Sequence, residues 1–175
     1  MNRSRINVRK LTLTALFMAM NVILSMSILS VPVPGGHMYL NDIVICMAAV
    51  LLDPLCAFLA GGIGAFLGDM LFYPAPMFVS LVTHGVQAAV ISLCAHRMLK
   101  GRREAASVIG ALLGLIITVA GYTFGRAFIY GTPEYAVLKL PFQIAQTAVG
   151  EAIALFLCWK AGLARLYERR FGEKI

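Results

Sequence analysis

The sequence predicts an all-α integral membrane protein of six transmembrane helices, with a short second helix and both termini cytoplasmic. Three observations carry this reading. The 175-residue chain is 60% hydrophobic and only 13% charged. Its apolar runs are cut by Pro, Gly and basic clusters into lengths near that of a bilayer crossing. Its basic residues gather on one side when those runs are counted as six. An average soluble domain is about 45–50% apolar and about 25% charged, and a soluble fold of this size has too little interior to hide such an excess. Disordered chains are hydrophilic and highly charged, so disorder is excluded as well. The length suits one domain, residues 1–175, with a basic cytoplasmic stub at 1–10 and a cytoplasmic tail at 161–175.

The elements follow from the punctuation. Leu11 to Ser30 is a nearly unbroken apolar run, longer than the roughly 7–15 apolar residues of a cleaved signal peptide, and it reads as a retained first span. Pro32, Pro34, Gly35 and Gly36 end it. Tyr39 to Leu52 is apolar but short and stops at Asp53-Pro54, since a residue before Pro is pushed out of the helical region. Leu55 to Phe72 is the third span, closed by Tyr73-Pro74-Ala75-Pro76. Met77 to Met98, Ala105 to Tyr130 and Leu140 to Lys160 are the fourth to sixth, with Gly131-Thr132-Pro133 between the last two.

Residues 39–72 can also be read as one kinked helix, and basic-residue parity decides. Six spans place Arg3, Arg5, Arg9 and Lys10, then Arg97, Lys100, Arg102 and Arg103, then Lys160, Arg165, Arg169, Arg170 and Lys174 on one side, thirteen of fifteen basic residues. Five spans would put the last two of these groups outside. The net charge of +7 is therefore a topology signal, and no nucleic acid is expected as a partner beside the lipid bilayer.

Small residues recur at four-residue spacing: Ala15 and Ala19; Ala60, Gly64 and Gly68; Gly110 and Gly114; Gly121 and Gly125. That spacing aligns them on one helical face and lets backbones approach closely in lipid. In the third and fifth helices it predicts packing inside the bundle. The run Gly61 to Gly68 follows no strand and lacks the Gly-Lys-Ser/Thr ending of a phosphate loop, so the chain is expected to bind no ATP of its own. Cys46, Cys56, Cys94 and Cys158 all lie in apolar runs without a CxxC pair and read as core packing. No HExxH, GxSxG or paired-carboxylate motif appears, and the histidines are scattered, so neither catalysis nor a metal site is indicated.

Ionisable groups inside a membrane are functional candidates because their burial is costly unless they are paired or wetted. At about 1.5 Å per residue, Asp69, Arg126 and Gln143 fall roughly 6 Å below the outer helix ends, His84 and Gln146 roughly 10–12 Å, and Gln87 deeper. The outer connections add His37, Asn41, Asp42, Glu134 and Lys139, with Tyr39, Tyr122, Tyr130 and Tyr135 nearby. The polarity opens outward, predicting a pocket built by helices three to six and lidded by the 31–42 loop. A tie between Asp69 and Arg126 is the structural alternative. Glu151, nearer the bilayer middle, lacks a cation at its depth and reads as protonated or as facing a partner subunit.

Six short helices, the basic stub and the Ala15-xxx-Ala19 pair, together with three stretches, resemble the substrate-binding S components of energy-coupling factor (ECF) vitamin transporters. The stretches are Gly35 to Asp42, Gly62 to Asp69, and Leu140 to Gly150. They are similar to the branch holding riboflavin, pantothenate and pyridoxine or hydroxymethylpyrimidine subunits, and the likeness spans roughly residues 8–165. The resemblance implies a multi-pass protein of the bacterial plasma membrane that binds a vitamin or precursor from outside. It also implies docking on a transmembrane coupling subunit with two cytoplasmic ATPases, which use the ATP, so that the chain needs no cofactor. Ala15 and Ala19 would form the docking face, and the 31–42 loop would gate the site. Two departures, His84-Gly85 where many relatives have Lys-Gly and Gln143 where Asn is common, fall in the ligand layer. Residue 2 is Asn2 rather than the histidine of the cobalt and nickel members, which argues against a metal substrate. Arg126 and Lys139 suit a ligand carboxylate, as in pantothenate; Asp69 and Glu134 suit a basic ring nitrogen, as in pyridoxine-like or pyrimidine ligands. A stand-alone secondary transporter, with Glu151 as its one inner-half relay group, is the alternative class, and a membrane protein with no ligand is a third.

Overall fold

The structure, a computed structural model, describes residues 8–26, 30–34, 36–99 and 101–171. Arg3, Arg5, Gly35, Lys100 and Lys174, used in the sequence reading, lie outside the described residues. The helices are α1 (Val8–Leu24), α2 (Asn41–Leu51), α3 (Pro54–Phe72), α4 (Met77–Met98), α5 (Arg103–Phe128), α6 (Pro133–Lys160) and α7 (Leu163–Phe171). Between α1 and α2 runs an antiparallel hairpin of β1 (Val31–Val33) and β2 (Gly36–Met38), with Pro32 opposite His37. Helices α3 to α6 are long and apolar enough to cross a membrane, whereas α1 has 17 residues and α2 only 11. Large apolar side chains such as Phe78, Leu112, Ile116, Phe128 and Val149 face outward, a surface suited to hydrocarbon.

The short α2 is the axle of the bundle. Nearly all of its side chains, from Asn41 to Leu51, are buried against α1, α4 and α6. It stops where the sequence says it should: Leu52 is extended, the Asp53 carboxylate accepts from Cys56 N at 3.1 Å, and Pro54 opens α3. Residues 39–72 are thus two helices. The apolar core gathers Val50 and Leu51 of α2 and the following Leu52 with Phe17, Ala57, Ile91, Ala154 and Cys158. Beyond α6, α7 buries Ala164 and Tyr167 in that same core. All four cysteines are buried and free.

Helix α3 contains a π turn at Leu59–Ile63. A π turn leaves carbonyls without their usual helical partners, and Asn21 of α1 answers two of them, donating to Ala60 O at 3.3 Å and Gly61 O at 3.2 Å. The glycines here permit backbone contact. A Cβ on Gly62 would lie 2.7 Å from Leu81 O and 3.0 Å from Gly85 Cα, and one on Gly61 would lie 2.9 Å from His84 O. Gly110, Gly114, Gly121 and Gly125 of α5 likewise face Ile91, Thr83 and Val79 of α4, so these small residues pack within the bundle.

The largest departures from the sequence reading lie at the end of α1, the start of α6 and the 31–42 segment. Helix α1 ends at Leu24, not Ser30: the Ser25 hydroxyl and N–H both bond to Asn21 O, and apolarity alone cannot mark such a terminus. Helix α6 starts at Pro133, not Leu140, because the Thr132 hydroxyl caps it from Tyr135 N at 3.3 Å with Pro in the first turn. Gln143 is therefore ten residues into its helix, roughly 15 Å from its start, rather than near its rim. The 31–42 segment is a hairpin leading into α2, not an irregular loop.

Substituting Gly62 by Ala should cost about 1–3 kcal/mol through overpacking against backbone. The check is the thermal unfolding midpoint in detergent, which should fall; an unchanged midpoint would show that α3 and α4 are not in this close contact.

Candidate functional site

The end of the bundle away from the apolar core encloses a cavity of about 320 Å³, within the range of roughly 300–1,000 Å³ typical of small-ligand sites. Every layer contributes. The hairpin and the start of α2 supply His37, Tyr39 and Asn41; α3 supplies Asp69; α4 supplies His84; α5 supplies Tyr122 and Arg126; and α6 supplies Lys139, Gln143 and Gln146. The sequence reading named all ten. It also named Asp42 and Gln87, which do not line the cavity but lie behind its wall. Ser25, Phe72, Tyr73 and Pro76 line the cavity as well. Sequence reasoning missed them because Ser25 sat inside an apolar run and the Tyr73-to-Pro76 segment read only as punctuation. Tyr130 and Tyr135, expected nearby, are wall residues, whereas Glu134 is exposed outside.

The hairpin is fastened to α6 over the cavity. Lys139 Nζ donates to His37 O at 2.8 Å, and Tyr39 N donates to Gln146 Oε1 at 3.0 Å. Lys139 is only 4% exposed.

Two polar clusters, joined through Tyr122, line the site. On α3 and α4, Ser80 Oγ donates to Asp69 Oδ2, and Tyr122 Oη lies 2.5 Å from Ser80 Oγ. Because the serine proton goes to the carboxylate, Tyr122 is the donor to Ser80. On α5 and α6, Arg126 Nη2 donates to Gln143 Oε1 at 2.6 Å. Its Nη1 is buried without a hydrogen-bond partner, as is Asn41 Oδ1, and Arg126 as a whole is 6% exposed. An unsatisfied buried donor on a cation is costly, and a ligand acceptor would relieve it. The guanidinium also stands over Tyr122, 5.2 Å from the ring centroid, and His84 meets that ring edge-on at 5.3 Å. Arg126 therefore bonds Gln143, and among the described residues no ion pair joins it to Asp69. The helix-tie alternative is not what this geometry shows. Burial pushes the Tyr39 and Tyr130 phenols up, so both present neutral hydroxyls.

Behind the wall lies a connected network. Gln87 Nε2 donates to Glu151 Oε1 at 3.0 Å and to Asp42 Oδ1 at 3.4 Å, while Gln146 Nε2 donates to Asp42 Oδ2 at 2.8 Å. Gln87 Oε1 is 2.7 Å from His84 Nδ1. Glu151 is buried within this network, so it does not face a partner subunit. His96, by contrast, bonds Ser92 O at 2.8 Å at the other end of α4 and takes no part. No cluster of metal-ligating side chains occurs among the described residues.

The family model described as the S component of the ECF-type riboflavin transporter matches residues 5–164. A Pyrococcus woesei protein, described only as an uncharacterized protein in a gap 3′ region, is 32% identical over 145 residues, 81% of this chain and 90% of its own length. The thiamine precursor transporter HmpT of Lactococcus lactis subsp. cremoris (strain MG1363) is 31% identical over 155 residues, 86% of each chain. The solved structure of the S component of a bacterial ECF transporter superposes with a TM-score of 0.67 at 18% identity, over 92% of this chain and 98% of that one. That likeness is of fold.

Replacing Gln146 by Leu removes its bonds to both Tyr39 N and Asp42. Amide hydrogen exchange at Tyr39 should then accelerate by about tenfold, as expected for one lost buried hydrogen bond; unchanged exchange would show that the hairpin is held by other contacts.

Proposed function

The chain belongs to the ECF-type riboflavin transporter S component family, and from this premise we propose that it is the substrate-binding subunit of an ECF importer for a small heteroaromatic vitamin precursor of the aminopyrimidine kind. It is a multi-pass protein of the plasma membrane and belongs to a transporter family, not an enzyme family. The observation that carries the ligand class is the bipolar cavity. The same cavity wall offers the Asp69 carboxylate as an acceptor, the unpartnered Nη1 of Arg126 as a donor, and tyrosine rings including Tyr122, over which Arg126 stands. A ring amine or protonated ring nitrogen meets Asp69, an oxygen substituent meets Arg126, and the flat ring stacks on the aromatic wall. The similarity to a thiamine precursor transporter supports this class over an acyclic carboxylate such as pantothenate, for which Asp69 would be a like charge.

In this reading all six helices α1 to α6 cross the membrane with both termini cytoplasmic. The short α2 needs no full bilayer length because its neighbours, rather than lipid, surround it. The paired charges Lys10–Asp53, Arg103–Glu168 and Lys160–Glu104 then mark the cytoplasmic end, and the cavity opens outward. Ala15 and Ala19 are exposed on α1, forming a smooth strip for the transmembrane coupling subunit. That subunit's two cytoplasmic ATPases supply the energy, so the chain requires no cofactor.

Binding of hydroxymethylpyrimidine by isothermal titration should weaken by about tenfold to a hundredfold in both Asp69→Asn and Arg126→Met, the scale of one charged hydrogen bond lost. Unaltered affinity in both would remove them from the ligand site. Ala15→Trp and Ala19→Trp should abolish uptake by the assembled transporter while leaving binding intact. Retained uptake in both would move the docking face elsewhere.

A further inference from the structure

We propose that the buried pair Asp42 and Glu151 sets the hydrogen-bonding polarity of the cavity wall, holding His84 in the tautomer that carries its proton on Nδ1 and offers Nε2 to the ligand as an acceptor. The inference concerns the site assigned above and, for the ligand, rests on that reading.

The chemistry runs outward from unambiguous groups. Tyr39 N is a backbone donor, so the Gln146 oxygen must face it and the Gln146 NH₂ must face Asp42, as observed at 2.8 Å. Gln87 is oriented in the same sense. One of its amide atoms is shared by two carboxyl groups, Glu151 at 3.0 Å and Asp42 at 3.4 Å, and beside an ionised Asp42 only the NH₂ end serves both, whether Glu151 is protonated or not. Its oxygen is thereby turned toward His84 Nδ1, 2.7 Å away, and an amide oxygen can only accept. The Nδ1 must bear hydrogen, and in the neutral ring Nε2 is the nitrogen with the free lone pair. Space for the acids is built in: a Cβ on Gly114 would lie 2.9 Å from Glu151 Oε1, and one on Gly150 would lie 2.6 Å from Asp42 Cβ.

Glu151, Asp42 and Gln87 are thus positioning residues that act through His84. With Asp69 on the neighbouring helix, His84 makes an all-acceptor wall, which selects ligands bearing two N–H or O–H donors at that edge. An exocyclic amine has both donors on one atom.

Two-bond ¹H–¹⁵N spectra of the full chain, labelled at histidine and kept ligand-free in detergent in mildly alkaline buffer, test this directly. His84 is identified by its loss in His84→Gln. The expected spectrum has a protonated Nδ1 and a bare Nε2. A protonated Nε2 with a bare Nδ1 overturns the proposal whether or not any vitamin binds. Gln87→Met should release the ring to a mixed or Nε2–H state; an unchanged tautomer there would overturn the role of the relay. For the ligand, hydroxymethylpyrimidine should bind at least about tenfold tighter than the analogue whose amine is replaced by methoxy. Equal binding overturns the acceptor wall, whereas failure of both to bind while the tautomer is as expected rejects the ligand class alone.

Discussion

Two carboxylates buried in an apolar bundle impose the constraint on which the rest of the site depends. Asp42 is 0% exposed and Glu151 4%. Groups of this kind are costly inside a membrane unless every oxygen finds a donor. The donors are the side-chain amides of Gln87 on α4 and Gln146 on α6, and each amide has a second end that must go somewhere. One goes to the hairpin at Tyr39 and the other to the cavity wall at His84. The depth of α2 in the bundle, the closure of the hairpin and the chemistry presented to a ligand are therefore parts of one hydrogen-bond problem.

The chain divides its two tasks between its two halves. One half is dry, with the buried Cys46, Val50, Leu52, Ile91 and Cys158 packed around α2 and sealed by α7. The other carries the cavity and its ring of polar side chains. Close helix contact joins them. The glycines of α3 bring its backbone onto α4 beside His84 and Gly85, and Asn21 satisfies the π turn that this contact accompanies. The S-component fold is thus a rigid apolar base beneath a latch made of hydrogen bonds from Lys139 and Gln146.

Much of this was legible in the sequence where local chemistry decides. Met77–Met98 appears with the expected ends because Pro76 and the basic cluster after Met98 bound it on both sides. Asp53-Pro54 divides α2 from α3 through a cap and a fixed proline dihedral. The outer-half polarity of the spans and of the connections between them pointed to the ten residues that line the cavity, although the depth assigned to Gln143 was wrong because the start of α6 was. Tertiary hydrogen bonds were not legible. Ser25 ends α1 through Asn21, the three-residue strands of the hairpin show no alternation, and a threonine cap eight residues before the apolar run begins α6. The Asp42–Gln87–Glu151 linkage depends on how each helix is rotated about its axis, and spacing alone leaves that angle open.

The central claim, that the cavity captures an aminopyrimidine-type precursor, is tested most directly by mass spectrometry of small molecules released from the mildly detergent-purified protein. The expected result is a stoichiometric heteroaromatic compound bearing an exocyclic amine and an oxygen substituent. A stoichiometric acyclic carboxylate, or a compound with no N–H donor, would contradict it.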